Sequence, residues 1–248
     1  MDPRQIDQHG AHILYDADRL TPPDERLFDP DALARSGRLI GRPGGGRGSA
    51  CFLEVEGIPA VLRPYRRGGV LAPWLGDRYP RGRLATSRPW REWHLLARLY
   101  TEGFPVPAPL AARVRPRGWL YRGDLLIERL TAQTLVERLR EYHLDPELWA
   151  RIGHCIGQLH RRGVDHADLN AHNILITPDE TVYIIDLDRA RLRRAGSWCR
   201  RNLDRLRRSL VKLQGDGSGL PPVAPEDWKS LEEGWQAALK EDATPHGR

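Results

Sequence analysis

The stretch from His166 to Asp188 constrains this chain more tightly than any other. It runs His166-Ala167-Asp168-Leu169-Asn170-Ala171-His172-Asn173, then Ile174-Leu175-Ile176, a turn at Thr177-Pro178-Asp179-Glu180, then Thr181-Val182-Tyr183-Ile184-Ile185 and Asp186-Leu187-Asp188. Two short apolar, β-branched runs on either side of turn-forming residues specify a hairpin. A hairpin brings the chain back to its starting point, so Asp186 is expected beside Asn173, with Asp168 just upstream. A carboxylate and an amide oxygen placed together suit Mg²⁺, which takes hard oxygen ligands and shares them with phosphate oxygens and water.

The spacing from Asp168 to Asn173 is that of the phosphoryl-transfer loop H-R-D-x-x-x-x-N. In that pattern the Asp accepts the proton of the acceptor hydroxyl, and the Asn and a later Asp hold the metal. Asp168 is therefore the candidate base, and Asn173 and Asp186 are the candidate Mg²⁺ ligands. The parts expected upstream occur in order. Gly44, Gly45, Gly46 and Gly48 form a glycine-rich turn whose backbone N–H groups can approach phosphates, although Cys51 stands where a third patterned glycine is expected. Ala60-Val61-Leu62-Arg63 puts Arg63 in the place of a phosphate-binding lysine. The exchange replaces a compact ammonium with a planar fork that grips phosphate through two donors. A helix from Arg88 to Tyr100 sets Trp93, Leu96 and Leu99 or Tyr100 on one face and offers Glu92 as the partner of Arg63; Glu102 lies at its frayed end. Strands over Leu110–Val114 and Tyr121–Leu130 then lead through Glu128 into a hinge whose backbone would meet an adenine. ATP and Mg²⁺ are the expected cofactors.

These elements predict an α+β, two-lobed, protein-kinase-like fold: a small antiparallel β N-lobe with one main helix, and a short, mostly helical C-lobe. The expected divisions are an N-terminal extension over 1–35, an N-lobe over 36–129 with an Arg- and aromatic-rich insertion over 64–91, and a C-lobe over 130–248. His12–Tyr15 reads as a short edge strand. Further helices are expected from Thr134 to Tyr142, from Pro146 through Leu159, from Trp198 to Leu213, and from Pro225 onward. His154 and His160 read as packing or solvent histidines.

The formal charge of +6 suits anionic partners, and Arg-rich composition alone is a competing cause of it. Arg66, Arg67 and Arg78, interleaved with Trp74 and Tyr79, are candidate contacts to an anionic acceptor or membrane surface. No nucleic-acid motif is visible, and nucleic acid is not an expected partner. No apolar run is long enough to cross a bilayer, and the polar N-terminus has no signal core. Cys51, Cys155 and Cys199 are odd in number and widely spaced, so neither a disulfide framework nor a zinc site is expected. The cytoplasm is the expected compartment.

Gly44-Gly45-Gly46-Arg47-Gly48, Leu62-Arg63-Pro64-Tyr65-Arg66-Arg67-Gly68-Gly69, Phe104-Pro105-Val106-Pro107, the loop around Asp168, and Arg201-Asn202-Leu203-Asp204-Arg205-Leu206 together resemble the 3-deoxy-D-manno-octulosonic acid (Kdo) kinases, a family of lipopolysaccharide core kinases. The resemblance runs from about His12 to Leu213. It implies transfer of the ATP γ-phosphate to the 4-hydroxyl of Kdo on lipid A, by a protein held peripherally at the cytoplasmic face of the Gram-negative inner membrane. Three rival readings share the same residues: a heptose kinase of the lipopolysaccharide core, a soluble small-molecule or protein kinase, and a non-catalytic membrane-binding relative.

Overall fold

The computed structural model describes residues 1–42, 50–65, 79–80, 82–215 and 219–241. It divides into two compact units. One contains Met1–Gly103 and Pro107–Leu130; the other contains Phe104–Val106 and the chain from Thr131 onward. The fold is α+β.

The first unit is built on an antiparallel sheet. In spatial order its strands are β1 (Pro3–Gln8), β2 (Ala11–Asp16), β7 (Pro109–Arg117), β8 (Leu120–Glu128), β5 (Ile58–Pro64), β4 (Cys51–Val55) and β3 (Leu39–Gly41), with β6 (Tyr79–Pro80) pairing on β8. Alternation sets the buried face: Cys51, Leu53 and Val55 of β4 and Ala60 and Leu62 of β5 point into the core, while Glu54 and Pro59 between them stay exposed. Helix α1 (Pro30–Arg35) is capped by Asp29, whose carboxylate accepts from the Asp31 and Ala32 N–H groups. Helix α2 (Arg88–Thr101) buries Trp90, Trp93, Leu96 and Leu99 along one stripe and packs on β7 and β8.

Residues 1–35 do not form an extension. The hairpin β1–β2 joins the sheet through β2, which pairs with β7 from His12↔Val114 to Tyr15↔Ala111, so β2 is not an edge strand either. Leu20, Leu27, Phe28 and Leu33 sit in the sheet's core cluster. A largely buried Arg113 fastens the segment. Its Nε and Nη2 donate to Asp124 Oδ2 at 2.9 and 2.8 Å, and its guanidinium also reaches the Phe28 and Glu25 carbonyls. The polar surface of β1 and the prolines after β2 hid this role, because the apolar residues that dock are few and widely spaced in sequence.

The second unit is mainly helical: α3 (Leu135–Glu141), α4 (Pro146–Arg161), α5 (Ser197–Gly215) and α6 (Pro225–Lys240). Thr134 and Glu137 form a reciprocal capping box on α3, and Asp145 caps α4 through the Leu148 N–H at 2.7 Å. Two small sheets complete it: β9 (Gln133–Thr134) with β11 (Ile174–Ile176) and β12 (Val182–Ile184), and β10 (Val164–Asp165) with β13 (Arg191–Leu192). Pro225 opens α6, so Ala224-Pro225-Glu226 is a helix start. Among the described residues, no helix is long and apolar enough to cross a membrane. The expected contacts Gly44, Gly45, Gly46, Gly48, Arg66, Arg67 and Arg78 lie outside the described residues.

Helices α4 and α6 approach at glycines. A Cβ on Gly153 would overlap the Leu231 carbonyl, one on Gly157 would meet Ala238 and Trp235, and one on Gly234 would overlap the Ala150 carbonyl. Helix propensity favours Ala over Gly by about 1 kcal/mol, whereas forcing extra atoms into a packed contact costs about 1–3 kcal/mol. Backbone atoms cannot turn aside, so packing decides the sign. Gly153→Ala is expected to lower the unfolding free energy by up to about 2 kcal/mol in denaturant titration; higher stability would mean the helices have room to separate.

His160, buried in α4, supplies a pH dependence. Its Nδ1 accepts from Trp235 Nε1 at 3.0 Å, which leaves Nε2–H facing Asn202 Oδ1 at 3.3 Å. Burial pushes its pKa down from 6.5 to about 4, against the opposing pull of Asn202 and Asp165. The unfolded chain therefore binds more protons than the folded one between these values. The contribution is complete above pH 6.5 and is lost as pH falls toward 4. Urea titrations are expected to show about 2 kcal/mol of His160-dependent loss between pH 7 and 5, absent in His160→Gln; parallel slopes for the two proteins would refute it.

Candidate active site

Helix α4 ends at Arg161, and Gly163, with a φ of +72°, turns the chain into β10. After β10 comes the loop that carries Asp168. Asp165 Oδ1 accepts the Ala167 N–H at 3.2 Å, and the Asp168 N–H closes a tight turn on the His166 carbonyl. Ala167 holds a φ of +34°, an unusual conformation for a residue with a Cβ. Asn170 Nδ2 and Asn173 Nδ2 both donate to the Asp168 carbonyl, at 2.9 and 3.1 Å. The Asp168 main chain is thus held from both sides, while its side chain stays nearly half exposed at 46%.

The second wall of the loop is α5. Its apolar stripe, Leu203, Leu206 and Leu210, is buried. Asn202, on a neighbouring face, is buried and serves as a hub. Its Nδ2 donates to Asp165 Oδ1 at 2.9 Å, and its Oδ1 accepts the His166 N–H at 3.0 Å as well as facing His160. Farther along, Arg205 Nη1 lies 3.5 Å from Asp168 Oδ1, and Ser209 Oγ accepts the Ala171 N–H at 3.4 Å. Arg193 also pairs with Asp165, at 2.9 Å. Burial pushes the Asp165 carboxyl up, but the bonds from Asn202, Arg193 and Ala167 outweigh it and hold the group below its usual range.

The hairpin forms in the expected register. Ile174 pairs with Ile184 and Ile176 with Val182, and the Ile185 N–H donates to the Asn173 carbonyl at 3.0 Å. Asp186 follows directly, with a φ of +63°. A left-handed, non-glycine residue is costly, and such conformations cluster at functional sites. His166 Nε2 binds the Ile185 carbonyl at 2.9 Å, tying the loop to the strand before Asp186. Because Asn173 uses its Nδ2 on the Asp168 carbonyl, it keeps Oδ1, the atom a hard cation requires. This carboxylate and this amide oxygen fit Mg²⁺ shared with phosphate oxygens.

The first unit holds the remaining candidates. Arg63 Nη1, on β5, lies 3.0 Å from Glu92 Oε1, on α2. Glu92 is buried, and its other oxygen accepts the Tyr65 hydroxyl. Burial and the neighbouring Glu92 carboxylate push the Tyr65 pKa well above its usual value, so the phenol stays a donor. Glu102 pairs instead with Arg98, one turn away on the same helix. At Glu128 the N–H donates to the Ala108 carbonyl at 2.9 Å and the carboxylate pairs with Arg19 at 3.4 Å, so both groups are used within the first unit. The long reach back to Arg19 could not be read from local sequence.

Asp168, Asn173 and Asp186 are the expected residues of this loop and hairpin, whereas the contacts that Asn202, Arg205 and Ser209 make to the loop are not among the expectations. Their signal was available. They recur at i, i+3 and i+7 on a helix whose Leu stripe was evident, and Asn202 is uncharged among arginines.

The sequence profile of the lipopolysaccharide kinase (Kdo/WaaP) family matches residues 31–235. The chain is 40% identical over 203 residues to the 3-deoxy-D-manno-octulosonic acid kinase of Vibrio vulnificus (strain YJ016), covering 82% of this chain and 86% of the relative. It is 42% identical over 212 residues to the enzyme of that name from Xylella fastidiosa (strain M12), covering 85% and 84%. It is 38% identical over 207 residues to that of Photobacterium profundum, covering 83% and 87%. With a profile match across most of its length and relatives aligned nearly end to end, the chain belongs to the lipopolysaccharide kinase (Kdo/WaaP) family.

Proposed function

We propose that this protein transfers the γ-phosphate of ATP to the 4-hydroxyl of Kdo on Kdo-lipid A during lipopolysaccharide core synthesis. The observation that carries this reading is the fixed loop and hairpin that present Asp168, Asn173 and Asp186 in sequence order. The relatives' shared name, 3-deoxy-D-manno-octulosonic acid kinase, supplies the acceptor.

In this reading Asp168 takes the hydroxyl proton on its carboxylate as the hydroxyl oxygen bonds to the γ-phosphorus and the bond to the ADP oxygen breaks. Asn173 and Asp186 would hold Mg²⁺, which would supply neutralisation of charge on the phosphate oxygens. Arg63 grips phosphate, and Glu92 with Tyr65 fixes the angle of its guanidinium. The nucleotide phosphates are assigned to Gly44, Gly45, Gly46 and Gly48 and the base to the backbone at Glu128. The lipid-linked acceptor is assigned to Arg66, Arg67 and Arg78. The protein works at the cytoplasmic face of the inner membrane and is held there peripherally by anionic headgroups; nucleic acid has no part in it.

The direct test is transfer of radiolabelled phosphate from ATP to purified Kdo-lipid A, with the phosphate then located on the sugar. Asp168→Asn is expected to lower kcat by about 100-fold or more, the range of a lost general base, while ATP binding is retained. Full turnover in Asp168→Asn would remove the base from the scheme. Asn202→Ala leaves the His166 N–H and Asp165 without their shared partner, a buried loss of about 1–3 kcal/mol. It is expected to reduce kcat while leaving the KM for ATP nearly unchanged. A shift in the KM for ATP with kcat intact would contradict a role in holding the loop.

A further inference from the structure

Arg205 stands between the two residues that fasten α5 to the catalytic loop. Asn202 binds Asp165 and His166, and Ser209 binds the Ala171 N–H. Positions 202, 205 and 209 share one helix face, so the loop runs along the helix in step with them. This ladder fixes the Arg205 backbone opposite Asp168, and the guanidinium Nη1 sits 3.5 Å from Asp168 Oδ1. Neither side chain is buried: Arg205 is 47% exposed and Asp168 46%. An exposed pair of this length is weak and exchanges readily. A guanidinium has five donors in a planar fork matched to carboxylate oxygens, and a single long contact to Asp168 uses little of that capacity.

The acceptor hydroxyl must sit within about 2.6–3.2 Å of the Asp168 carboxylate when its proton is taken. An anionic group on the same sugar ring is then brought within reach of Arg205. The relatives are named for an octulosonic acid, which has a carboxylate of its own. We propose that Arg205 binds the carboxylate of the acceptor sugar and thereby selects a sugar acid over a neutral sugar. The acceptor carboxylate replaces Asp168 on the guanidinium, and Asp168 Oδ1 becomes available to the incoming hydroxyl. A neutral sugar leaves Arg205 on Asp168. Arg201, Arg208 and Lys212 are exposed on the same side of α5, and their field draws an anionic acceptor toward this face. This inference rests on the functional reading above and names the group within that site that recognises the acid.

The test compares the wild type, Arg205→Gln and Arg205→Lys with two acceptors, Kdo-lipid A and its carboxyl methyl ester, at varied ATP. Arg205→Gln is expected to raise the KM for the acid at least about tenfold, the scale of one charge-assisted hydrogen bond, with the KM for ATP unchanged. Arg205→Lys is expected to fall between the two. On the ester, Arg205→Gln is expected to show a kcat/KM no lower than that of the wild type, because the group Arg205 recognises is gone and the guanidinium no longer occupies Asp168 Oδ1. An equal loss on acid and ester would show that Arg205 serves Asp168 or a lipid phosphate instead, and would overturn the proposal while leaving the kinase reading intact. An unchanged KM for the acid would also overturn it. If the wild type transferred no phosphate to the acid at all, the functional reading would fail and this inference with it.

Discussion

One buried amide governs the catalytic half of this protein. Asn202 meets the Asp165 carboxylate, the His166 N–H and His160 from a helix far along the chain. In a low-dielectric interior each of these groups would be expensive to leave unpaired. The loop therefore has one satisfied geometry, and alternatives forfeit several hydrogen bonds together. His160 extends the network to Trp235 in α6, and Arg193 and Asp165 tie in the short β10–β13 pair. The position of Asp168 is inherited from this frame rather than set by its own exposed side chain.

The surrounding helices make that frame stiff. The glycines of α4 and α6 let two helices approach to backbone contact, and α4 feeds directly into the loop. A small displacement of α6 would act on Trp235 and through it on His160 and Asn202. The buried contacts lie behind the loop, and the Asp168 side chain in front of them stays nearly half exposed. Two residues in left-handed backbone, Ala167 and Asp186, sit at opposite ends of this frame, and the surrounding hydrogen bonds hold each in place.

The first unit solves a different problem. Its sheet presents Arg63 from β5 and Glu92 from α2, and a buried carboxylate needs its partners. Tyr65 and Arg63 satisfy the two oxygens of Glu92 separately, which fixes the arginine fork more tightly than a single contact does. Arg63 carries a planar cation, and the buried Glu92 that it meets is itself held by Tyr65.

Much of this was already legible in the linear chain. The period of two in β4 and β5, the period of 3.6 in α2, α4 and α5, the cap at Thr134 and the turn at Thr177–Glu180 are local signals, and local signals fix elements and their ends. The hairpin even fixed a long-range fact, that Asp186 returns to Asn173, because a tight turn leaves no other register. Likewise, the partner of Arg63 followed from one helix with one inward carboxylate. What lay beyond reach was every interaction whose partners are distant in sequence and polar: Arg113 drawing residues 1–35 into the sheet, Glu128 turning to Arg19, and Asn202 and Arg205 meeting the catalytic loop. Hydrophobic periodicity reports which face is buried but not which polar group will satisfy another across the fold. That choice belongs to tertiary structure, because the cost of an unpaired buried group is decided only when the chain has closed around it.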